Sequence, residues 1–78
     1  MKIRKSLAGG RGRKVFIYEN KKEEYFMVAI PDIGWSIDFT YETDELQEKL
    51  ADSLETSGMT VEETSEIASG IYHWTREM

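Results

Sequence analysis

The chain has 78 residues, no cysteine and a formal net charge of −5. That length allows one small core, in which folding hides only roughly 60–65% of the unfolded surface, and the missing cysteines exclude disulfides and thiolate metal centres as staples. The longest apolar run, Phe26–Ile30, cannot span a bilayer, which takes about 20 residues, and the basic start Met1–Lys5 lacks the apolar stretch of a signal peptide; a soluble cytoplasmic protein of one domain, residues 1–78, is expected.

In chain order, Ile3, Lys5 and Leu7 share one parity and Arg4 and Ser6 the other, which allows a short first strand. Its basic character suits a sheet edge, where charge discourages pairing with other molecules. Gly9, Gly10 and Gly12 then predict a flexible Gly/Arg loop over residues 8–14. The loop has neither the GxxxxGK[ST] nor the GxGxxG spacing that cradles phosphate.

Val15–Tyr18 and Tyr25–Ile30 are β-branched and aromatic, and a polar run from Glu19 to Glu24 separates them. This predicts a hairpin. A turn centred on Lys21-Lys22 sets Tyr18 opposite Tyr25, Ile17 opposite Phe26, Phe16 opposite Met27 and Val15 opposite Val28. One face then carries Val15, Ile17, Phe26, Val28 and Ile30, and the other Phe16, Tyr18, Tyr25, Met27 and Ala29. Pro31-Asp32-Ile33-Gly34 supplies the chemistry of the next turn. Trp35, Ile37, Phe39 and Tyr41 then alternate with Ser36, Asp38, Thr40 and Glu42, the period of a half-buried strand over Trp35–Glu42.

Leu46, Leu50 and Leu54 recur at helical spacing. Asp44 with Gln47 fits a variant capping box, with Thr43 as the other cap candidate. Glu45 and Lys49 form a favourable i,i+4 pair, and Gly58 closes the helix in a left-handed conformation. Thr60 with Glu63 is an S/T-x-x-E box that opens a second helix after two or three residues. Its apolar stripe is Ile67, Ala68, Ile71, Tyr72, Trp74 and Met78. The expected fold class is α+β: a three- or four-stranded antiparallel meander followed by two C-terminal helices packed on one face.

Charge is unevenly distributed. Residues 1–14 carry six basic side chains and no acidic one, whereas Asp38–Ala68 carries ten acidic side chains and only Lys49 on the basic side. The plain reading of the acidic half is a solvated helical surface. The sharper one is an acidic surface, Asp44, Glu48, Asp52, Glu55, Glu62 and Glu66, presented to a basic partner. Nucleic-acid binding by the basic arm is disfavoured, because the acidic half would repel phosphate.

Catalytic chemistry finds little purchase. The only histidine, His73, has Glu77 one turn on, but two ligands do not close a metal site, and no nucleophile elbow or cysteine accompanies it. No catalytic residue, metal or cofactor is expected, and the chain reads as a non-enzyme. The interaction surface favoured instead is the second hairpin face, Phe16, Tyr18, Tyr25 and Met27, which is too apolar to stand alone. Tyrosine and methionine suit interfaces, so a protein partner, and first of all a second copy in a homodimer, is expected there.

Two resemblances accompany this reading. The stretches KIRK at Lys2–Lys5, IYENKKEEYFMVAIP at Ile17–Pro31 and WSIDFTYE at Trp35–Glu42, with the leucine-bearing acidic helix, resemble the YueH-like family of small bacterial proteins. That likeness spans nearly the whole chain; it implies one small cytoplasmic domain and carries no active site with it. VAIPDIG at Val28–Gly34, followed by Thr43–Leu46, is similar to HicB-type antitoxins, which neutralise an RNA-cleaving toxin by protein contact. Here Gly34 comes one residue early, no glycine precedes the helix and no DNA-binding segment follows.

Overall fold

The computed structural model describes residues 2–77. Four strands, β1 (Lys2–Ser6), β2 (Arg13–Asn20), β3 (Tyr25–Ile30) and β4 (Trp35–Thr40), precede two helices, α1 (Leu46–Thr56) and α2 (Val61–Glu77). The strands form one antiparallel meander in the order β1-β2-β3-β4, and both helices pack on one side of it. This is the expected α+β architecture with the four-strand alternative realised: β1 runs along β2 from Lys2 opposite Ile17 to Ser6 opposite Arg13.

Alternation decides which side is dry. Val15, Ile17, Val28 and Ile30 are fully buried, with Phe26, Trp35 and Phe39 at 7% exposure beside them. The helices answer with Leu50, Leu54, Ile67 and Ile71, each fully buried. Full burial stabilises by about 1.5–3 kcal/mol per large apolar side chain, so this one interface holds the fold. Trp35 also donates its indole N–H to Ser53 Oγ at 2.8 Å, which satisfies a polar atom at the edge of the core and ties β4 to α1. Of the last helix's expected stripe, Ile67, Ala68 and Ile71 are buried and Trp74 packs against them; Met78 lies outside the described residues.

The hairpin register differs from the sequence reading by two residues. Tyr18 stands opposite Met27, Ile17 opposite Val28 and Phe16 opposite Ala29. The cause is the connection: Lys21–Glu24 forms a four-residue turn, with Glu24 in the left-handed region (φ 57°) and Asn20 Oδ1 accepting the Glu23 N–H at 3.0 Å. A slip of two preserves side-chain parity, so both faces keep the expected residues.

The ends of the elements hold further corrections. β4 stops at Thr40 rather than Glu42. The chain turns there: Thr43 N–H donates to the Thr40 carbonyl (3.2 Å) and Thr43 Oγ1 accepts the Thr40 N–H (3.0 Å). Thr43 is thereby used up in the turn, and Asp44 does not cap α1 either. The residue at the N-cap is Glu45, left-handed at φ 53° and without a side-chain cap bond. Gln47 reaches across instead, donating to Ser69 Oγ of α2 at 3.1 Å. At the far end Gly58 takes the positive φ (92°) foreseen for it.

Half of the Thr60 box forms: the threonine caps Glu63, but the Glu63 carboxylate bonds the Thr60 hydroxyl in place of its backbone N–H. Thr60 Oγ1 accepts the Glu63 N–H (3.2 Å) and donates to Glu63 Oε1 (3.1 Å). The Gly/Arg connection ends at Gly12, because Arg13 and Lys14 already pair in β2. Within it Ala8–Gly10 make a short 3-10 turn, and Ala8 is buried.

Candidate functional site

With the register known, the outer sheet face can be assembled row by row. Ile3, Phe16, Ala29 and Ser36 form one row, Tyr18, Met27 and Asp38 the next, and Asn20, Tyr25 and Thr40 a third. All have the parity that points away from the helices. Ile3 is 56% exposed, Met27 46% and Tyr18 37%, while Phe16 and Tyr25 are half-buried by their neighbours. Tyr18 and Tyr25 meet edge to face, ring centroids 6.2 Å apart. The structure thus brings all four expected residues of this surface together. It adds Ile3, whose parity in sequence was visible but whose row depends on pairing with Phe16. Lys5 opposite Lys14 closes one end of the face and Asp38 stands on the β4 side.

The six acidic side chains singled out in the sequence are all exposed. Asp44 and Glu48 line a cleft between the β4–α1 connection and the end of α2, whereas Glu48 and Glu55 line a shallower seam between the helices. Asp52, Glu62 and Glu66 line neither.

The cleft, about 640 Å³ in volume, is the larger concavity. Its aromatic wall is Phe26, Tyr41 and Tyr72. Phe26 stacks on Phe39 (centroids 5.5 Å) and carries Tyr41 tilted against it (5.2 Å). The Tyr41 O–H donates to Glu19, and that bond, together with desolvation and the charges of Glu19 and Glu24, pushes its pKa up to about 12. Arg76 also lines the cleft: its guanidinium lies 4.8 Å from the Tyr72 ring centre and donates to the Tyr72 hydroxyl at 2.7 Å. Sequence reading assigned Tyr41 to the strand's buried set and Tyr72 to a helical stripe. Only the true register brings Glu19 into the same row as Phe26 and Phe39, and so beside Tyr41.

A third polar cluster is structural. Arg13, 7% exposed, donates to the Ala8 carbonyl (3.2 Å) and to Glu63 Oε2 (2.9 Å). The Arg13 bond and then the Thr60 hydroxyl hold the Glu63 carboxyl below the usual range. Gly9 (φ 66°) crosses so near that a Cβ there would stand 2.8 Å from Glu63 Oε2. His73 Nε2 and Glu77 Oε1 are 2.7 Å apart and exposed; among the described residues no group of three metal-ligating side chains gathers.

These features define a class of protein: a small two-layer α+β unit with one sheet face sealed by a helix pair and the other left bare by the described residues. No helix among the described residues is long and apolar enough to cross a membrane. The chain belongs to the YueH-like protein family, whose model matches residues 2–77. It is 40% identical over 85 aligned positions, spanning all of both chains, to the protein titled "Uncharacterized protein YueH" of Bacillus subtilis (strain 168). No solved structure matches the chain. The family match lends no support to the local likeness with HicB-type antitoxins.

Proposed function

We propose that this protein is a small cytoplasmic interaction module, without catalytic activity, that self-associates through its outer sheet face. The observation that supports this reading is the bare row structure of that face: Ile3, Phe16, Tyr18, Tyr25 and Met27 are contiguous across three strands, and the helices pack on the other side. Contiguous apolar surface with a polar rim is the mark of an interaction site. Its rim is polar and carries both signs, Lys5 and Lys14 at one corner and Asp38 across the sheet. Strand spacing and rise give the face roughly 400 Å² in plan. That is small beside the ≈ 800 Å² per partner of a standard interface, so a readily dissociating dimer is expected.

Sedimentation or light scattering across a concentration series tests the reading. The wild type should gain mass with concentration, and Tyr18→Ser/Met27→Ser should stay monomeric with an unchanged circular dichroism spectrum. A wild type that remains monomeric at the highest concentration, with a double variant that unfolds, would show the face to be ordinary core. A second reading, an acidic inhibitor engaging a basic protein surface, draws its support from the carboxylates around the cleft. Salt separates the two: association through carboxylates weakens sharply from low to physiological ionic strength, and an aromatic interface hardly responds.

A further inference from the structure

We infer that the cleft between the β4–α1 connection and the end of α2 is a binding site for an arginine side chain of a basic partner peptide. It goes beyond the sheet-face reading and is independent of it, because none of Ile3, Phe16, Tyr18, Tyr25 and Met27 lines the cleft.

Charge comes first. Glu19, Asp44, Glu45 and Glu48 line the cleft against one guanidinium, that of Arg76. Among the described residues the ion pairs are Arg13–Glu63 and His73–Glu77, so Asp44, Glu45 and Glu48 face the cleft without a cationic partner. Carboxylates alone would not single out a ligand, since exposed acids are usually just solvated.

The walls supply the second, independent observation. Within α2, Arg76 already lies over Tyr72 at 4.8 Å and bonds its hydroxyl, so this cleft holds a guanidinium against a tyrosine. Tyr41 offers the second ring: it packs on Phe26, keeps its hydroxyl on Glu19 and remains 43% exposed. A planar, weakly hydrated guanidinium stacks on an aromatic ring while its edge donates to a carboxylate, which a compact ammonium does less well. The occupant that suits tyrosine walls and carboxylate rims together is therefore arginine. At about 640 Å³ the cleft is within the usual range for ligand sites, roughly 300–1,000 Å³.

The competing occupant is an anion held by Arg76 and by the uncapped N-terminus of α1, where Leu46, Gln47 and Glu48 line the cleft. The carboxylates flanking those amides oppose it, and one substitution separates the two cases. Arg76→Gln removes a cation that competes with arginine but would assist an anion.

The test is a titration of the isotope-labelled full chain, followed by amide shifts, with acetyl-Gly-Arg-Gly-amide, its neutral citrulline counterpart and spermidine. The arginine peptide should give saturable shifts at Tyr41, Leu46, Gln47 and Tyr72, and the citrulline peptide none. Tyr41→Ala should weaken binding about five-fold, the scale of one cation–π contact, and Asp44→Asn/Glu48→Gln should weaken it and flatten its salt dependence. Arg76→Gln should tighten it about three-fold by relieving like-charge repulsion. Tyr18→Ser/Met27→Ser should leave it unchanged, so failure here and failure of the sheet-face reading are distinct results. The inference is overturned if Arg76→Gln weakens binding, if spermidine binds as tightly as the peptide, or if shifts at Asp52, Glu62 and Glu66 match those in the cleft. All the substituted side chains are exposed, and an undisturbed spectrum away from the cleft confirms each variant's fold.

Discussion

The two faces of the sheet are built from the same strands with the same period, yet they hold different kinds of side chain. Toward the helices stand valine, isoleucine, phenylalanine and tryptophan, none of the buried ones more than 7% exposed. Away from them stand two tyrosines, a methionine, Phe16 and Ile3, of which three are more than a third exposed. Aliphatic side chains gain only by leaving water, so they need a permanent cover. Tyrosine tolerates water at its hydroxyl and methionine adapts its shape, so a face made of them can be covered at one time and wet at another. The difference teaches that apolar content alone does not identify core: within the strands the tyrosines and the methionine stand only on the bare face.

Substitution across this divide should break the symmetry of the strands most visibly. Ile17→Ala, on the sealed face, should cost about 2–5 kcal/mol in denaturant unfolding, the range for truncating a fully buried aliphatic side chain. Met27→Ala, one strand over on the bare face, should cost no more than about 0.5 kcal/mol, as for a surface substitution, measured below the concentration at which the protein self-associates. Equal losses would mean that both faces are core.

A smaller contrast lies within the helical layer that makes the difference between the faces. Thr60 caps α2, and Asp44 caps nothing. Thr60→Ala should therefore lower unfolding free energy by about 1 kcal/mol, while Asp44→Ala should leave it within about 0.5 kcal/mol of wild type. An equal loss at Asp44 would restore the cap that sequence suggested.

The smallest effect sits at the border where the sheet ends. Tyr41 has a folded pKa raised from 10.0 to about 12. The unfolded chain releases this proton first as pH rises, so the contribution to stability is complete below pH 10 and is lost between there and about 12. A phenolate absorbance titration of the folded protein should show one of its four tyrosines ionising late. Glu19→Gln should return it toward the others.

Much of this architecture was legible in the chain. Period-two alternation from Trp35 to Phe39, the aliphatic and aromatic sets of the hairpin, Gly58 and the Thr60 box each record a local rule, and local rules survive folding. What was not legible depends on how segments meet. The two-residue slip follows from Glu24 adopting a left-handed backbone and Asn20 closing the turn, neither of which a polar run announces. Asp44 lost its cap role because Thr43 turned the chain back on Thr40. The bare face was foreseen in four residues because parity is immune to an even slip, and Ile3 waited on pairing with Phe16. The cleft was hidden: Glu19, Tyr41 and Tyr72 come from a strand, a turn and a helix, and no spacing in sequence joins them.

The Arg13–Glu63 bond carries a consequence for the order in which the chain assembles. Its partners stand 50 residues apart, so forming it early would close a long loop before shorter contacts had repaid the entropy. The adjacent strands of the meander and the two neighbouring helices can each form locally; this latch between the second strand and the last helix has to wait. An interaction made after the transition state slows escape from the native state without hastening arrival. Its expected signature is the unfolding limb of a chevron: Arg13→Met should speed unfolding and leave the folding rate unchanged.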